Sequence, residues 1–184
     1  MNPIIEKTKI DGCFILKNIL FNDDRGYFNV PFNLDFFKKL LPDIRFIQDN
    51  QSYSTYGVIR GLHFQKYPYE QSKLVRCSYG KVRDVIVDMR IESPSYGESV
   101  SIELSGENGV MVFIPKGCAH GFSVLSKEAI FEYKVDEPYN KYAESGIVWN
   151  DVNLNIDWGL PIEDVIVSDK DAILPNSTLP KFKK

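Results

Sequence analysis

Residues 71–90 read QSKLVRCSYGKVRDVIVDMR, and this stretch decides the fold class. Alternating apolar positions flank Tyr79-Gly80 on both sides, and a period of two marks a strand with unlike faces. The glycine at the break reads as a hairpin turn, because glycine adopts positive φ without steric cost. On the second arm Asp84, Ile86 and Asp88 share one side, and Val85, Val87 and Met89 the other. On the first arm Lys73, Val75 and Cys77 lie together. Charged groups thus recur on faces that also carry large apolar residues, as expected of the inner wall of a barrel with a ligand cavity.

The same reading extends outward to CFILKNILF (13–21), RFIQDNQSYS (45–54), GVIRGLHFQ (57–65), SVSIELS (99–105), VMVFIP (110–115) and AIFEYKV (129–135). Each is bounded by turn residues, including Gly106-Glu107-Asn108-Gly109. A single helix is expected where Asn33 can cap a run carrying Leu34, Phe36, Phe37, Leu40 and Leu41 before Pro42. Many short strands with one helix predict an all-β antiparallel sandwich or small barrel. At 184 residues, without repeats or linkers, the chain is expected to form one domain over 1–184. The closing ILPNSTLPKFKK (173–184), with two prolines, is expected to trail over the surface.

Composition narrows the function. Hydrophobic residues are 43% and charged residues 26%, values of an ordinary globular chain. No apolar run is long enough for a membrane helix, so no membrane partner is expected. A net charge of −3 gives no footprint for nucleic acid. MNPIIEKTKIDG carries four charges and no apolar core, so no secretory signal is expected. Three cysteines without a CxxC pair fit reduced thiols in the cytoplasm. Only two histidines occur, which excludes a three-histidine metal site. A two-histidine, one-carboxylate site is arithmetically open, but no HxH, HxE or HExxH spacing supports it. Dinucleotide, P-loop and nucleophile-elbow glycine motifs are absent.

Several residues carry two readings. His63, mid-strand in an aromatic run with Arg60 before it and Lys73 after it, is either a core histidine with one hydrogen bond or a general base. His120, after Pro115–Ala119, is either a ligand contact or a turn-stabilising donor. Tyr133 and Tyr139 are two of ten tyrosines, and a buried tyrosine normally needs a partner for its hydroxyl in any case. Lys170-Asp171 reads equally as a solvated charge pair. Gln48, Asp49 and Asn50 form a dense polar run inside a strand, with Gln48 and Asn50 facing one way and Asp49 the other. Taken alone, these residues describe an all-β barrel with a polar cavity and no metal.

The ordered motifs DDRGYF (23–28), FIQDNQSYS (46–54), GVIRGLHFQ (57–65), QSKLVR (71–76), IPKGCAHGFSVLS (114–126), YKVDEPYNKYAE (133–144), WND (149–151) and SDKDA (168–172) are together specific. They resemble the dTDP-4-dehydrorhamnose 3,5-epimerase family, over almost the whole chain. The resemblance implies a cupin-like double-stranded jelly roll, a homodimer, and neither metal nor cofactor. Its substrate would be a nucleoside-diphosphate 4-keto-6-deoxyhexose, inverted at carbons 3 and 5. By the same resemblance His63 is the general base, Asp171 its carboxylate partner, Tyr133 the proton donor on the opposite face, and Lys73 the candidate to steady the enolate oxygen. Arg25 and Arg60 match diphosphate contacts. Gln48, Asp49, Asn50, His120, Glu144 and Lys170 match further substrate contacts, and Tyr139 matches the position stacking on the base. The chain departs from the family at Val30 (usually Glu), Pro138 (usually aromatic) and Gly159 after Trp158 (usually Pro). These departures place any difference in nucleotide or sugar selectivity, not in the base or the acid. Epimerisation at carbon 3 alone, and sugar-nucleotide binding without catalysis, are the alternatives.

Overall fold

The structure is a computed structural model and describes residues 2–177. Its strands are β1 (Ile4–Lys7), β2 (Phe14–Lys17), β3 (Phe21–Asp23), β4 (Gly26–Phe28), β5 (Gln48–Thr55), β6 (Ile59–Gln65), β7 (Lys73–Tyr79), β8 (Lys81–Asp88), β9 (Ser99–Ser105), β10 (Val110–Ile114), β11 (Cys118–Val124), β12 (Glu128–Val135) and β13 (Glu144–Gly146). Helix α1 spans Leu34–Leu40 and the single turn α2 spans Asp169–Ala172. A six-stranded sheet in the order β1-β2-β10-β7-β12-β5 faces a five-stranded sheet in the order β13-β6-β11-β8-β9, with β3-β4 as a separate hairpin. The ladders within the sheets are antiparallel. This is a cupin-like jelly roll, as the family resemblance implies.

Strand parity sorts the side chains into three apolar layers. Val75, Cys77 and Phe131 from one sheet meet Val82, Ile86 and Phe122 from the other in the central layer. Phe122 and Phe131 stack there with ring centroids 4.2 Å apart. The opposite faces are covered too. Leu74, Met111 and Phe113 pack beneath Phe37 of α1, and Val85, Val87 and Leu62 pack beneath Ile147 and Trp158 of the C-terminal segment. Val85 and Ile86 are both fully buried on opposite faces of β8. Burying an aliphatic side chain of this size contributes about 1.5–3 kcal/mol, so slipping β8 by one residue would bring Asp84 and Asp88 into the outer apolar layer. No helix among the described residues is long and apolar enough to cross a membrane.

Four local expectations need correction. Tyr79-Gly80 is not a hairpin turn: β7 pairs with β10 and β12, and β8 with β11 and β9, so the chain passes there from one sheet to the other. CFILKNILF is not one strand: it divides into β2 and β3, and the Asn18 N–H turns to the Gly109 carbonyl at 3.0 Å. Helical structure is not confined to α1, because Ser168 caps α2 by accepting the Asp171 N–H at 3.1 Å. The start of the closing segment does not trail over the surface. The Pro175 carbonyl accepts the Val148 N–H at 3.0 Å, and buried Ser177 gives its N–H (2.6 Å) and hydroxyl (3.0 Å) to Asp151. Asp151 is buried, and a buried carboxylate without donors is costly; Ser177 supplies two, beside the N–H groups of Asn153 and Leu154. The remainder of that stretch, 178–184, lies outside the described residues.

Candidate active site

β6 and β11 approach closely at one point, and this sets the site. Gly61 has φ +117°, and a Cβ there would come within 2.6 Å of Gly121 Cα and 2.7 Å of the His120 carbonyl. Only glycine fits such a position. The register shifts just beyond it and leaves His120 directly opposite His63. Both histidines line a cavity of about 510 Å³ between the sheets, together with Arg60, Lys73 and Tyr133. Ile166–Ser168, Lys170 and Asp171 complete its wall from the C-terminal segment.

Each histidine has its own carboxylate. His63 Nε2 lies 2.8 Å from Asp171 Oδ1, and Asp171 Oδ2 accepts the Gly61 N–H at 3.2 Å. Burial pushes the Asp171 carboxyl up, but His63, Gly61 and Ser168 outweigh it and hold the group below its ordinary range. An ionised carboxylate only accepts, so Nε2 carries a proton, and in the neutral tautomer this sets, Nδ1 holds the lone pair. His120 Nε2 lies 2.7 Å from Asp84 Oδ1, with both side chains buried. Burial lowers the His120 pKa despite the attraction of Asp84, so this imidazole is neutral near pH 7.

Two further groups face the cavity. Burial brings the Lys73 ammonium down to about 8, opposed by the negative charge of Asp84. Its Nζ lies 6.0 Å from the centroid of the Tyr133 ring. Tyr133 is raised by burial, partly offset by Arg60, so its hydroxyl stays protonated across the neutral range. Arg60 is braced by Ser54 Oγ (3.0 Å) and the Tyr53 carbonyl (3.2 Å). At the rim Glu144 accepts from the Tyr139 hydroxyl (2.7 Å) and from Lys170 Nζ (2.5 Å). Burial raises Glu144, but Lys170 and Tyr139 bring it net below its ordinary value.

The fold therefore brings together seven of the thirteen residues singled out in the sequence: His63, Tyr133, Asp171, Lys73, Arg60, His120 and Lys170. Glu144 and Tyr139 join them through the rim bonds. Gln48, Asp49 and Asn50 lie along β5 outside the cavity wall; Gln48 bonds Asn50 at 2.7 Å, and Asp49 turns to Lys134 at 2.6 Å. Arg25 is exposed between β3 and β4 and pairs with Asp23 at 2.5 Å. Three polar residues that build the site were not singled out, Asp84, Ser52 and Ser168. The alternation of β8 puts Asp84 with Ile86 on the inner face, and that was the available signal. Among the described residues no group of three or more His, Cys, Asp or Glu side chains is arranged to hold a metal ion.

Comparison with known proteins agrees in kind. The sequence profile described as dTDP-4-dehydrorhamnose 3,5-epimerase matches residues 7–178. The dTDP-4-dehydrorhamnose 3,5-epimerase of Shigella flexneri is 48% identical over 172 residues, 93% of either chain. The crystal structure of the dTDP-4-dehydrorhamnose 3,5-epimerase of Elizabethkingia anophelis superposes with a TM-score of 0.91 at 43% identity, covering 99% of this chain and 100% of that one. The dTDP-6-deoxy-D-glucose-3,5-epimerase of Legionella pneumophila, crystallised with dTDP-4-keto-L-rhamnose, gives 0.89 at 44%, covering 94% and 92%. The chain is an isomerase and belongs to the dTDP-4-dehydrorhamnose 3,5-epimerase family.

Proposed function

We propose that the chain inverts carbons 3 and 5 of a dTDP-linked 4-keto-6-deoxyhexose, converting the 4-dehydro-6-deoxy-D-glucose form to the 4-dehydro-L-rhamnose form. The observation that carries this reading is the pairing of His63 and Tyr133 on β6 and β12, strands of opposite sheets that wall one cavity. Inversion needs a base on one face of the carbon and an acid on the other. His63 has its carboxylate and a free Nδ1. Among the described residues no hydrogen-bonding partner engages the Tyr133 hydroxyl, which disfavours a purely structural role for it.

The steps follow from the chemistry of a ketone. His63 Nδ1 takes the proton from the carbon beside C4, and the C–H electron pair becomes the C=C bond of an enolate with its charge on the C4 oxygen. The buried Lys73 ammonium stabilises that oxygen, and away from bulk solvent such a contact is worth more than in water. Tyr133 O–H then protonates the carbon from the other face, and the C4 carbonyl re-forms. The imidazolium gives its proton to solvent, and the phenolate takes one back. Repeating the cycle at the other flanking carbon completes the double inversion.

Binding falls to the remaining polar groups, in the cavity, at its rim and beyond it. Arg60 meets diphosphate oxygens with a planar array of donors, and Arg25 is assigned the same ligand. Lys170, Glu144 and His120 contact the sugar, Tyr139 stacks on the base, and Gln48, Asp49 and Asn50 extend the binding strand. No metal takes part in the reaction. The protein acts as one domain and as a homodimer, which covers edge strands that would otherwise expose unpaired backbone groups; light scattering at the mass of a single chain would count against the dimer.

Turnover of the dTDP-linked 4-keto sugar in deuterium oxide tests the reading. Label at both carbons supports double epimerisation, and label only at carbon 3 selects a 3-epimerase. Tight binding with no label at either carbon would leave a sugar-nucleotide-binding protein without catalysis.

A further inference from the structure

Asp84 has no part in the reaction as written above, yet it is the most deeply placed charge beside the cavity. It lies on β8 with no exposure to solvent. One oxygen is engaged, Oδ1 by His120 Nε2 at 2.7 Å, while Oδ2 is buried without a hydrogen-bonding partner among the described residues. A fully buried carboxylate with a free oxygen is expensive unless a nearby positive charge offsets it. In this part of the molecule Lys73 is the candidate for that charge: it is buried on β7, in the same central space, and its ammonium is electrostatically coupled to Asp84.

We propose that Asp84 is a positioning residue, which holds the His120 ring by one carboxylate oxygen and keeps the Lys73 side chain as an ammonium by the charge on the other. One negative charge on β8 and one positive charge on β7 of the opposite sheet then stand beside the neutral His120 imidazole on β11. This deepens the function proposed above, because it rests on Lys73 acting as the cation that meets the enolate oxygen.

The groups around Lys73 leave Asp84 as its counter-charge. From β11 come the His120 imidazole, kept neutral by burial, and the Cys118 thiol, which burial pushes up to about 12 and so keeps uncharged. From β12 comes the Tyr133 ring, with its phenol protonated. His63 across the cavity has its own partner in Asp171. Asp136, just past β12, is turned to Lys116 at 3.3 Å and to the Ser72 N–H at 2.7 Å. Asp88, at the far end of β8, is held by Arg90, Ser93 and Ser95. Removing the Asp84 charge would leave the Lys73 ammonium buried with no anion to offset its desolvation.

The direct test is a titration of Lys73 in full-length protein labelled with ¹⁵Nζ-lysine, its resonance assigned with Lys73→Arg and followed in wild type and in Asp84→Asn. The wild-type midpoint is expected near 8, and in Asp84→Asn it should fall by about 1–3 pH units, the usual effect of losing a close opposite charge. The alkaline limb of kcat for the dTDP-linked 4-keto sugar should move with it, while KM changes less. An unmoved Lys73 midpoint overturns the proposal. A midpoint that falls while the kcat limb stays still upholds the role of Asp84 and overturns the enolate role of Lys73, so the two readings fail separately. If Asp84→Asn does not fold, Asp84→Asn/Lys73→Met removes both charges and should regain much of the lost melting temperature. A double variant no more stable than the single one overturns the coupling.

Discussion

His63 and His120 are cross-strand partners in the β6–β11 register, yet each is held by a different carboxylate. Asp171 reaches His63 from α2, 108 residues further along the chain, and Asp84 reaches His120 from the neighbouring strand β8. The two pairs differ in access. The His63 side chain is 33% exposed and that of His120 only 7%. An imidazole that must take a proton, carry it and return it to solvent needs the accessible site; the enclosed one is suited to holding a fixed neutral ring.

Replacing the two histidines separately should therefore give unlike results. His63→Asn is expected to abolish deuterium exchange at both carbons, a loss of at least ~10⁴-fold, with an unchanged fold by circular dichroism. His120→Asn should raise KM and leave measurable exchange. Near-wild-type exchange in His63→Asn would move the base to another residue.

Asp171→Asn removes charge support and tautomer control but leaves the base in place, so kcat should fall by up to ~10⁴-fold, yet by less than on loss of His63. The same variant has a signature in stability. Burial raises Asp171, but His63, Gly61 and Ser168 bring its folded value below the reference of 3.8. A carboxyl depressed in the folded state binds fewer protons there than in the unfolded chain. Its contribution is complete above the reference value and is lost as pH falls through the folded value. The difference in melting temperature between wild type and Asp171→Asn should hold constant from pH 7 to about 5 and shrink below that. A difference independent of pH across this range would remove Asp171 as an ionised partner.

The residues most legible in the sequence were those whose signal is local. Strands β7 and β8 are announced by alternation on either side of Tyr79-Gly80, because each face of these strands meets a different layer, but nothing local discloses that they belong to opposite sheets. β11 carries no such signal: every residue from Cys118 to Val124 is buried, and a strand enclosed on both faces loses its period. α2, four residues long, is too short for helical periodicity to register. His63 stood out through the scarcity of histidine, whereas its pairing with Asp171 depends on a contact across the fold and could be reached only through family resemblance. Asp84 shows the same limit from the other side. Its inward face was readable from parity, but its partners lie on β11 and on β7 of the opposite sheet, and no spacing in the chain discloses which strands these are.

Metal independence should be measurable directly. Among the described residues no group of three or more His, Cys, Asp or Glu side chains is placed to share a metal ion. Exhaustive dialysis against a chelator is expected to leave turnover unchanged. A loss of activity that zinc, manganese or iron restores would overturn this.

Tyr133→Phe separates removal of the proton from its return. In this variant His63 with Asp171, and Lys73, are untouched, so a proton can still leave the substrate and deuterium can still enter from the His63 side. What is missing is the acid on β12. Net inversion should fall by ~10²–10⁴-fold, the effect of losing a positioned general acid, while exchange with retained configuration persists or falls less. If the hydroxyl instead served only packing, its removal would cost roughly 1–3 kcal/mol of stability and lower both rates in equal proportion. Burial raises the Tyr133 pKa and Arg60 offsets only part of this, so the wild-type acid is protonated throughout the neutral range, and the gap between wild type and Tyr133→Phe in inversion should not depend on pH from 6 to 8. Both rates, measured on one sample by NMR beside its melting temperature, decide the matter: parallel losses with a lowered melting temperature would return Tyr133 to the core and require a different acid.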